Sequence, residues 1–437
     1  MAYRCQKVLV VVITLLLVAE IIHASRMNQA DTVTLQEERP LLVWYTDPDI
    51  QQYMEETAEK AGEAYGVQVR TELVSEVDYI ENISEESVSE EMTGPDLYVV
   101  SSSLLEKAAL AGLTDPVDQS ELSGDYSEKA IHAAVYQGRT MARPFYVETC
   151  FLLYNRYYTE QAPATVDEIL AYADSFEPDD VTAGVDKIFE WNVADVIENY
   201  MFLGAYTDLG GEDGDDMGQV SMDLERIGEC MAYYQSLNGY FAIDADTVTS
   251  EQIVQDFIDG KTVYMIANAA MLARVDEAAE NGELPEYPSE RTVVNEEGAE
   301  ETQTLEFEPF YGAAALPDLT AELETRGLSV TNSVAVNPYS RNPEAAHAVA
   351  EYLTAGNAAG LYREADKLPA FRALEEAPTP AWEAVCQAYD EAAEIPKLME
   401  LSDIWLHLEA ALADIWRGED ASEQMAEFAG LLDGRME

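Results

Sequence analysis

The stretch RPFYVETCFLLYNRYYT, residues 143–159, is dense in aromatic and aliphatic side chains but contains one carboxylate, Glu148. An apolar run of this kind predicts a buried strand. A charge inside such a strand is costly unless it has a partner or faces a wet surface. We interpret the strand as running along the floor of a ligand cleft between two lobes, with Glu148 facing the cleft. The alternative is a Glu148 that is satisfied internally, by a backbone N–H or by an arginine such as Arg143.

The length and charge of the chain limit the classes of function. A chain of 437 residues suits two domains, or two lobes of one fold. Its 85 acidic and 24 basic residues give a net charge of −61, which repels nucleic acid and anionic lipid headgroups. We therefore expect no nucleic-acid partner. The charge is typical of a very soluble protein or of a salty or acidic habitat, and an acidic cleft for a cationic ligand is the alternative.

The N-terminus indicates export. Arg4 and Lys7 precede an apolar run that begins at Val8 and is too short for a comfortable membrane span. We interpret residues 1–24 as a signal peptide or an uncleaved N-terminal anchor and residues 25–39 as a flexible leader. No cysteine comes directly after the apolar run, so a lipoprotein anchor is not predicted. An extracellular or cell-envelope location follows.

From Pro40 onward, strand and helix patterns alternate. PLLVWYTD and GPDLYVVSSS are apolar strands that end in polar residues, and helical spacing lies between them. This order predicts an α/β fold with mostly parallel sheets and, after residue 342, a helical C-terminus. Ligands collect at the carboxyl ends of such strands. The candidate contacts there are Tyr45, Asp47, Ser101, Ser102 and, after a later strand, Asn268, although turn and capping roles suit the same residue types.

Motifs for catalysis, metals and cofactors are incomplete. DGKT at residues 259–262 lacks the earlier glycine of a phosphate-binding loop, because position 255 is Gln255. DGDDMG at residues 213–218 resembles a calcium loop, but its twelfth position is Leu224. There is no HExxH or GxSxG sequence. We therefore predict no catalytic residue, no metal site and no cofactor, and no enzymatic activity.

Several motifs, in order, carry a family resemblance. PFYVETCFLLYNRYYTEQAPATVDEILAYA resembles the hinge strand and following helix of the bacterial extracellular solute-binding proteins, family 1, of the maltose-binding type. GPDLYVV, AGLTDPVD, FIDGKTVYMI and AVNPYSRNPEAAHAVAEYLT resemble further segments of that family in the same order. The likeness spans roughly Pro40 to Met436.

The resemblance implies a two-lobe receptor that hands a small solute, usually a carbohydrate, to the permease of an ABC importer. Lobe one would hold residues 40–146 and 331–372, and lobe two residues 147–330 and 373–437. The protein would act as a monomer. Two alternatives remain: the same scaffold binding a polyamine or basic peptide, or a surface-anchored sensory or adhesive protein without a role in transport.

The resemblance also implies ligand contacts. Glu148 matches an acidic or polar contact, and Trp405 matches a tryptophan that stacks on sugar. Trp191 falls near a ligand-contacting segment of the second lobe. Glu409 stands where the maltose-binding type has an arginine, and Ala270 where it has a tryptophan. These two departures favour a ligand other than maltose.

Overall fold

The computed structural model describes residues 39–89, 93–179, 181–294 and 299–436. The predicted signal peptide or anchor, and all of the predicted leader except Arg39, lie outside these residues. From Leu41 onward the chain forms one compact unit. Among the described residues, no helix combines the length and the apolar character that crossing a membrane requires.

The strands are short. They are β1 (Leu41–Tyr45), β2 (Val69–Leu73), β3 (Leu97–Ser101), β4 (Val135–Tyr136), β5 (Arg139–Thr140), β6 (Arg143–Thr149), β7 (Phe151–Asn155), β8 (Lys187–Glu190), β9 (Thr207–Asp208), β10 (Ser221–Met222), β11 (Thr262–Ala267), β12 (Glu290–Val294), β13 (Glu300–Thr304), β14 (Tyr311–Ala314), β15 (Leu328–Val336), β16 (Leu368–Pro369) and β17 (Ala393–Glu394).

The α-helices lie between these strands, singly or in succession, and at the C-terminal end of the described chain. They are α1 (Gln51–Tyr65), α2 (Tyr79–Ser87), α3 (Ser102–Leu110), α4 (Glu128–Ala133), α5 (Val166–Ser175), α6 (Val196–Asn199), α7 (Met201–Gly204), α8 (Leu224–Phe241), α9 (Ser250–Ile258), α10 (Ala269–Asn281), α11 (Pro343–Glu351), α12 (Ala358–Ala365), α13 (Trp382–Glu391), α14 (Ile404–Trp416) and α15 (Ala421–Met436). Short 3-10 helices cover Pro48–Ile50 and Met399–Leu401, among others.

Local sequence explains where helices begin and end. The Thr165 hydroxyl accepts a hydrogen bond from the Glu168 N–H at 3.2 Å, and the Glu168 carboxylate accepts one from the Ala164 N–H at 2.8 Å. This reciprocal pair satisfies backbone donors at the start of α5 and accounts for the PATVDEI motif. Helix α1 ends at Gly66, which adopts a left-handed conformation with φ 68°.

The larger sheet has the strand order β16-β6-β15-β3-β1-β2, with β17 beside β15. The pairs β1–β2, β1–β3 and β15–β17 are parallel, and the others are antiparallel. Because β15 is antiparallel to both β3 and β6, strands β1, β3 and β6 all run in the same direction. Their carboxyl ends therefore lie at one edge of this first sheet.

The second sheet has the order β14-β7-β11-β8, with β11–β8 parallel and the other pairs antiparallel. Helices α8, α14 and α15 pack together, and α8 also packs against β8. Separate two-stranded ladders are formed by β4–β5, β9–β10 and β12–β13. The predicted α/β class is confirmed, and each of the two larger sheets is mixed.

The strand at residues 143–155 belongs to both sheets. Its first part, β6, pairs with β15 and β16, and its second part, β7, pairs with β11 and β14. Only Cys150 lies between the two ladders. A second connection follows, because β14 lies in the second sheet and β15 in the first. The predicted crossing strand is thus confirmed.

An aromatic cluster fills the core beside the second sheet. Trp191 packs against Phe189 and Trp416, and its ring N–H donates to the Asn199 side-chain oxygen at 3.0 Å. The whole Trp191 side chain is buried. The structure thus gives Trp191, expected to contact the ligand, a core-packing role. Trp191 follows β8 directly and packs in the core, and no part of its ring reaches solvent.

We expect Trp191→Ala to lower the free energy of unfolding by about 3–5 kcal/mol, because it leaves a cavity the size of an indole ring in a closed core. Urea denaturation followed by circular dichroism measures this loss. The matched control is Trp405→Ala, since Trp405 is only partly buried and its truncation should cost clearly less. Equal losses from the two substitutions would contradict the assignment of Trp191 to the core.

Candidate functional site

The strand ends of the first sheet bring the predicted contacts together. Glu148 lies near the end of β6, Ser101 ends β3, and Asp47 follows β1 by two residues. Asn332 of β15 pairs with Ser101 on one side and with Tyr146 on the other. The register therefore places Ser101 and the end of β6 on either side of Asn332, at the edge where β1 also ends.

Glu148 is half exposed, with 45% of its side chain accessible. One carboxylate oxygen lies 3.2 Å from the Lys367 ammonium, and the other accepts a hydrogen bond from the Asn332 amide at 3.3 Å. Arg143, the internal partner considered above, instead forms an ion pair with Glu121. Glu148 is thus anchored by two residues that the sequence did not single out, while much of its surface faces solvent.

Lys367 forms ion pairs with three carboxylates. Its ammonium lies 3.0 Å from Asp47, 3.6 Å from Asp49 and 3.2 Å from Glu148, and only 13% of its side chain is exposed. Burial lowers the pKa of Lys367, but Glu148 and Asp47 outweigh burial and hold it above its ordinary value. Lys367 is therefore charged at neutral pH. We call Asp47, Asp49, Glu148 and Lys367 the Lys367 cluster.

Tyr146 completes the floor beneath the Lys367 cluster. Its hydroxyl donates to Asp47 at 2.9 Å, and its ring centroid lies 5.5 Å from the Lys367 ammonium. Burial, followed by the charges of Asp47 and Glu148, raises the pKa of Tyr146 well above its ordinary value. The hydroxyl therefore stays protonated and acts as a fixed donor to Asp47.

Two of the predicted contacts at this edge have structural roles. Tyr45 is buried in the core between the first sheet and α1. The buried Ser102 hydroxyl donates to Glu394 of β17 at 2.7 Å. Neither side chain is accessible to solvent in this structure, so packing and internal hydrogen bonding are the roles that the structure gives to Tyr45 and Ser102. Ser101 remains half buried, with its hydroxyl 2.8 Å from that of Ser103.

Trp405 lies on α14, a helix that packs against α6 and α8. The Trp405 ring is partly buried and tilted by 57° against Tyr200, with the ring centroids 6.0 Å apart. Leu406 beside it is 71% exposed, and Glu409, one turn further on, is exposed. Trp405, predicted to stack on sugar, is therefore partly accessible, with exposed Leu406 and the Glu409 carboxylate nearby.

A direct contact joins the region before α14 to the helix that follows β3. The 3-10 helix Met399–Leu401 packs against α3, the helix that follows β3, and the Met399 N–H donates to Glu106 at 2.7 Å. Helix α14 begins three residues after that 3-10 helix. The start of the Trp405 helix is thus tied to the element that follows Ser101.

Asn268 caps α10. It follows β11, and its side-chain oxygen accepts a hydrogen bond from the Met271 N–H at 3.1 Å. The capping role weighed for this residue is therefore present in the structure. Asn268 is half buried, so part of its amide remains accessible at the carboxyl end of β11.

A buried carboxyl, Glu198, lies near the crossing point. Burial, the largest cause, raises its pKa to about 8, the Asn192 N–H opposes that shift and Asp195 adds to it. Among the described residues, one Glu198 oxygen has no hydrogen-bond partner. Burial, Glu198, Asp195 and Glu148, in that order, raise the pKa of the Cys150 thiol. These carboxyl groups therefore disfavour the thiolate form of Cys150, the residue between β6 and β7. Glu198 is the only glutamate in the apolar stretch VADVIENYMFLGAY, and this isolation could have identified it from the sequence.

The acidic loop DGDDMG contacts a neighbouring helix and turn. An Asp213 oxygen lies 2.6 Å from the His132 ring nitrogen, and Asp215 accepts a hydrogen bond from the Gln137 N–H at 2.8 Å. Within the described ranges, no grouping of three or more histidine, cysteine or acidic side chains could hold a metal ion.

Comparison with known proteins gives one family. The model for bacterial extracellular solute-binding proteins matches residues 56–321. The maltodextrin-binding protein MdxE of Bacillus subtilis is 21% identical over 316 residues, which cover 70% of this chain and 68% of that protein. The maltotriose-binding protein of Pyrococcus abyssi is 27% identical over 192 residues, 42% of this chain and 40% of that protein.

Solved structures share the fold. The extracellular solute-binding protein of Staphylococcus aureus, in complex with maltose, superposes with a TM-score of 0.71 at 17% identity, over 91% of this chain and 98% of that one. The maltotriose binding protein of Thermus thermophilus, bound with maltotriose, gives a TM-score of 0.65 at 17% identity, over 91% and 100%. The architecture is thus that of the two-lobe binding proteins.

We expect Glu198→Gln to stabilise the protein at alkaline pH. Folding raises the pKa of the Glu198 carboxyl from 4.5 to about 8. Between pH 4.5 and pH 8 the carboxyl is therefore protonated in the folded state but ionised in the unfolded state. Its contribution to stability is therefore complete below pH 4.5 and is lost as the pH rises through 8. The neutral amide does not titrate.

Melting temperatures measured from pH 5 to pH 8.5 check this expectation. The advantage of Glu198→Gln over the wild type should grow with pH and reach several degrees near pH 8, because one pKa unit corresponds to about 1.4 kcal/mol. Glu225→Gln, at an exposed position on α8, is the control and should show no such growth. A difference that does not change with pH would contradict a raised pKa at Glu198.

Proposed function

This chain belongs to the bacterial extracellular solute-binding protein family, whose members are substrate-binding receptors, and on that premise we propose that it captures a carbohydrate between two lobes and delivers it to an ABC importer. The lobes would follow the two sheets. Lobe one would contain residues 40–146 and 331–372, extended to Thr149 and back to Leu328 because β6 and β15 pair within the first sheet.

The observation that carries this proposal is the position of Glu148. It lies on the strand that joins the two sheets, it is half exposed, and its carboxylate is held in place by Lys367 and Asn332. A carboxylate has about four lone-pair sites and accepts strong hydrogen bonds from hydroxyl groups. A fixed acceptor at the junction of two lobes suits a ligand with several hydroxyls that must contact both.

An aromatic wall would supply the second half of sugar recognition. Sugar rings present a C–H face that packs on flat apolar surfaces, while their hydroxyls need a few fixed polar groups. Trp405 and the exposed Leu406 offer such a surface on α14. A ligand that contacts this wall and the Glu148 edge together gains its full set of contacts only when the lobes are closed, and that difference in affinity drives closure.

The proposed ligand is a carbohydrate but not maltose in particular. The named relatives bind maltodextrin or maltotriose, and two of the compared structures hold maltose or maltotriose. In this chain Glu409 replaces an arginine of the maltose-binding type, and Ala270 replaces a tryptophan. One cationic donor and one stacking platform are therefore missing, which favours a different sugar.

The remaining parts of the proposal concern location and partners. The family is extracellular, and we propose that residues 1–24 direct export and are then cleaved or retained as an anchor. The partner would be the membrane permease of an ABC importer, approached by the receptor as a monomer. Permease and ATPase genes beside this gene would support import, and their absence would favour a sensory or adhesive receptor.

We expect isothermal titration against a panel of mono- and oligosaccharides to reveal binding, and Trp405→Ala to weaken it by about 30-fold or more. A buried aromatic anchor of this kind contributes about 2 kcal/mol or more to a binding site. A dissociation constant near 1 μM for the wild type would correspond to roughly −8 kcal/mol.

Trp382→Ala is the matched control for this experiment. Trp382 is also partly buried at the start of a helix, α13, but packs against the cluster around β7 and β11. Its truncation should lower the melting temperature without weakening sugar binding. Unchanged affinity in a folded Trp405→Ala variant would rule out the stacking role, and no response to any sugar would rule out the proposed ligand class.

A further inference from the structure

We propose that Lys367 makes this receptor selective for neutral, polyhydroxylated ligands over cations, because its ammonium already occupies the place between Asp47, Asp49 and Glu148 that a cationic ligand would take. The inference rests on the proposed function and deepens it, since it assigns a residue that sets the charge of the ligand class. The chain has 85 acidic residues. The Lys367 ammonium would prevent the carboxylates at this edge of the first sheet from binding cations.

The geometry of the Lys367 cluster resembles an occupied ammonium site. Asp47 and Asp49 come from the segment after β1, and Glu148 comes from β6. These carboxylates surround one nitrogen at 3.0, 3.6 and 3.2 Å, and the Tyr146 ring lies beneath it. Carboxylates combined with an aromatic face are the groups that recognise an organic ammonium ion. Here the chain provides that ion itself.

The backbone holds Lys367 in this position from both sides. Asp366 before it ends α12 with φ 55°, a left-handed conformation that Asp tolerates better than most residues. Leu368 and Pro369 after it form β16 and pair with Val147 and Tyr146 of β6. The backbone of Lys367 is therefore fixed between a helix end and a sheet edge, which keeps its side chain within reach of the cluster.

This arrangement disfavours a cationic ligand for a physical reason. A free ammonium ion would have to displace one that is covalently attached to the site, and the attached group loses no translational freedom when it binds. A sugar has no such competitor. Glu148 is 45% exposed while Lys367 is 13% exposed, so hydroxyls can reach the carboxylate from solvent without removing the lysine.

The experiment compares spermidine and sugar binding in charge variants. Lys367→Met keeps the apolar stem over Tyr146 and removes only the charge, and Lys367→Gln is a second neutral variant. Lys367→Arg retains the charge. The matched control is Lys261→Gln, because Lys261 also lies between two carboxylates, 3.5 Å from Asp256 and 2.6 Å from Asp259, at a 41% exposed site after α9.

We expect both neutral Lys367 variants to bind spermidine at least about tenfold more tightly than the wild type, with an affinity that falls when NaCl rises from about 20 to 200 mM. Their affinity for the sugar should fall by about tenfold, because Glu148 loses a charged anchor. Lys367→Arg and Lys261→Gln should bind spermidine as weakly as the wild type. Titration calorimetry measures all of these affinities.

Unchanged spermidine affinity in a neutral Lys367 variant that melts cooperatively would overturn the inference. So would tight spermidine binding by the wild type, or an equal gain in Lys261→Gln, since either would make the effect one of overall charge. Failure of both neutral variants to fold beside a folded Lys367→Arg would also overturn it, because the lysine would then act in stability. If the wild type binds no sugar, the proposed function fails, but the spermidine comparison still tests the role of Lys367.

Discussion

The shared strand at residues 143–155 is the constraint on which the other features depend. Its backbone hydrogen bonds belong to one sheet as far as Thr149 and to another from Phe151 onward. Because buried backbone groups must stay paired, each ladder resists distortion, and any change in the relative orientation of the sheets must be absorbed near Cys150. Glu148 lies two residues from that point. A ligand contact placed there is sensitive to both halves of the molecule.

Charge is compensated locally at this junction. The chain has only 24 basic residues, yet Lys129, Lys367 and Lys397 each expose little or none of their side chains. Lys397, which is fully buried, donates to the His132 carbonyl at 3.1 Å. Burial, only partly opposed by Glu394, lowers the pKa of Lys129 to about 8, and its ammonium donates to the Ala392 carbonyl. Lys367 differs from these two because three carboxylates lie within 3.6 Å of its ammonium, and its pKa is raised. The charge around these buried sites therefore depends on a few lysines, and the net charge of the chain does not predict it.

The tryptophans show how far residue type predicts a role. Trp191 and Trp405 were both reasonable candidates for a sugar platform, and both belong to the same aromatic region. Trp191 comes directly after a strand and turns into the closed core, whereas Trp405 lies on a helix whose outer side remains partly open. An apolar pattern indicates that a side chain avoids water but not how deep it lies, because depth depends on the elements that pack above it. The same reason explains why Ser102 and Tyr45 are interior residues while Ser101 is partly accessible.

Short-range patterns alone predicted the alternation of strands and helices, the crossing strand, the helix that follows it and the family, because each depends on neighbouring residues in the chain. The carboxyl ends of β1 and β3 were also placed correctly at one edge, since parallel strands share that property. The partners of Glu148 were beyond such reasoning. Lys367 and Asn332 are 219 and 184 residues away from it, and the chain passes between the sheets before it reaches either one. Contacts over such separations depend on how whole strands align, so only the tertiary structure placed a lysine among three carboxylates and left two of them, Asp49 and Glu148, accessible to solvent.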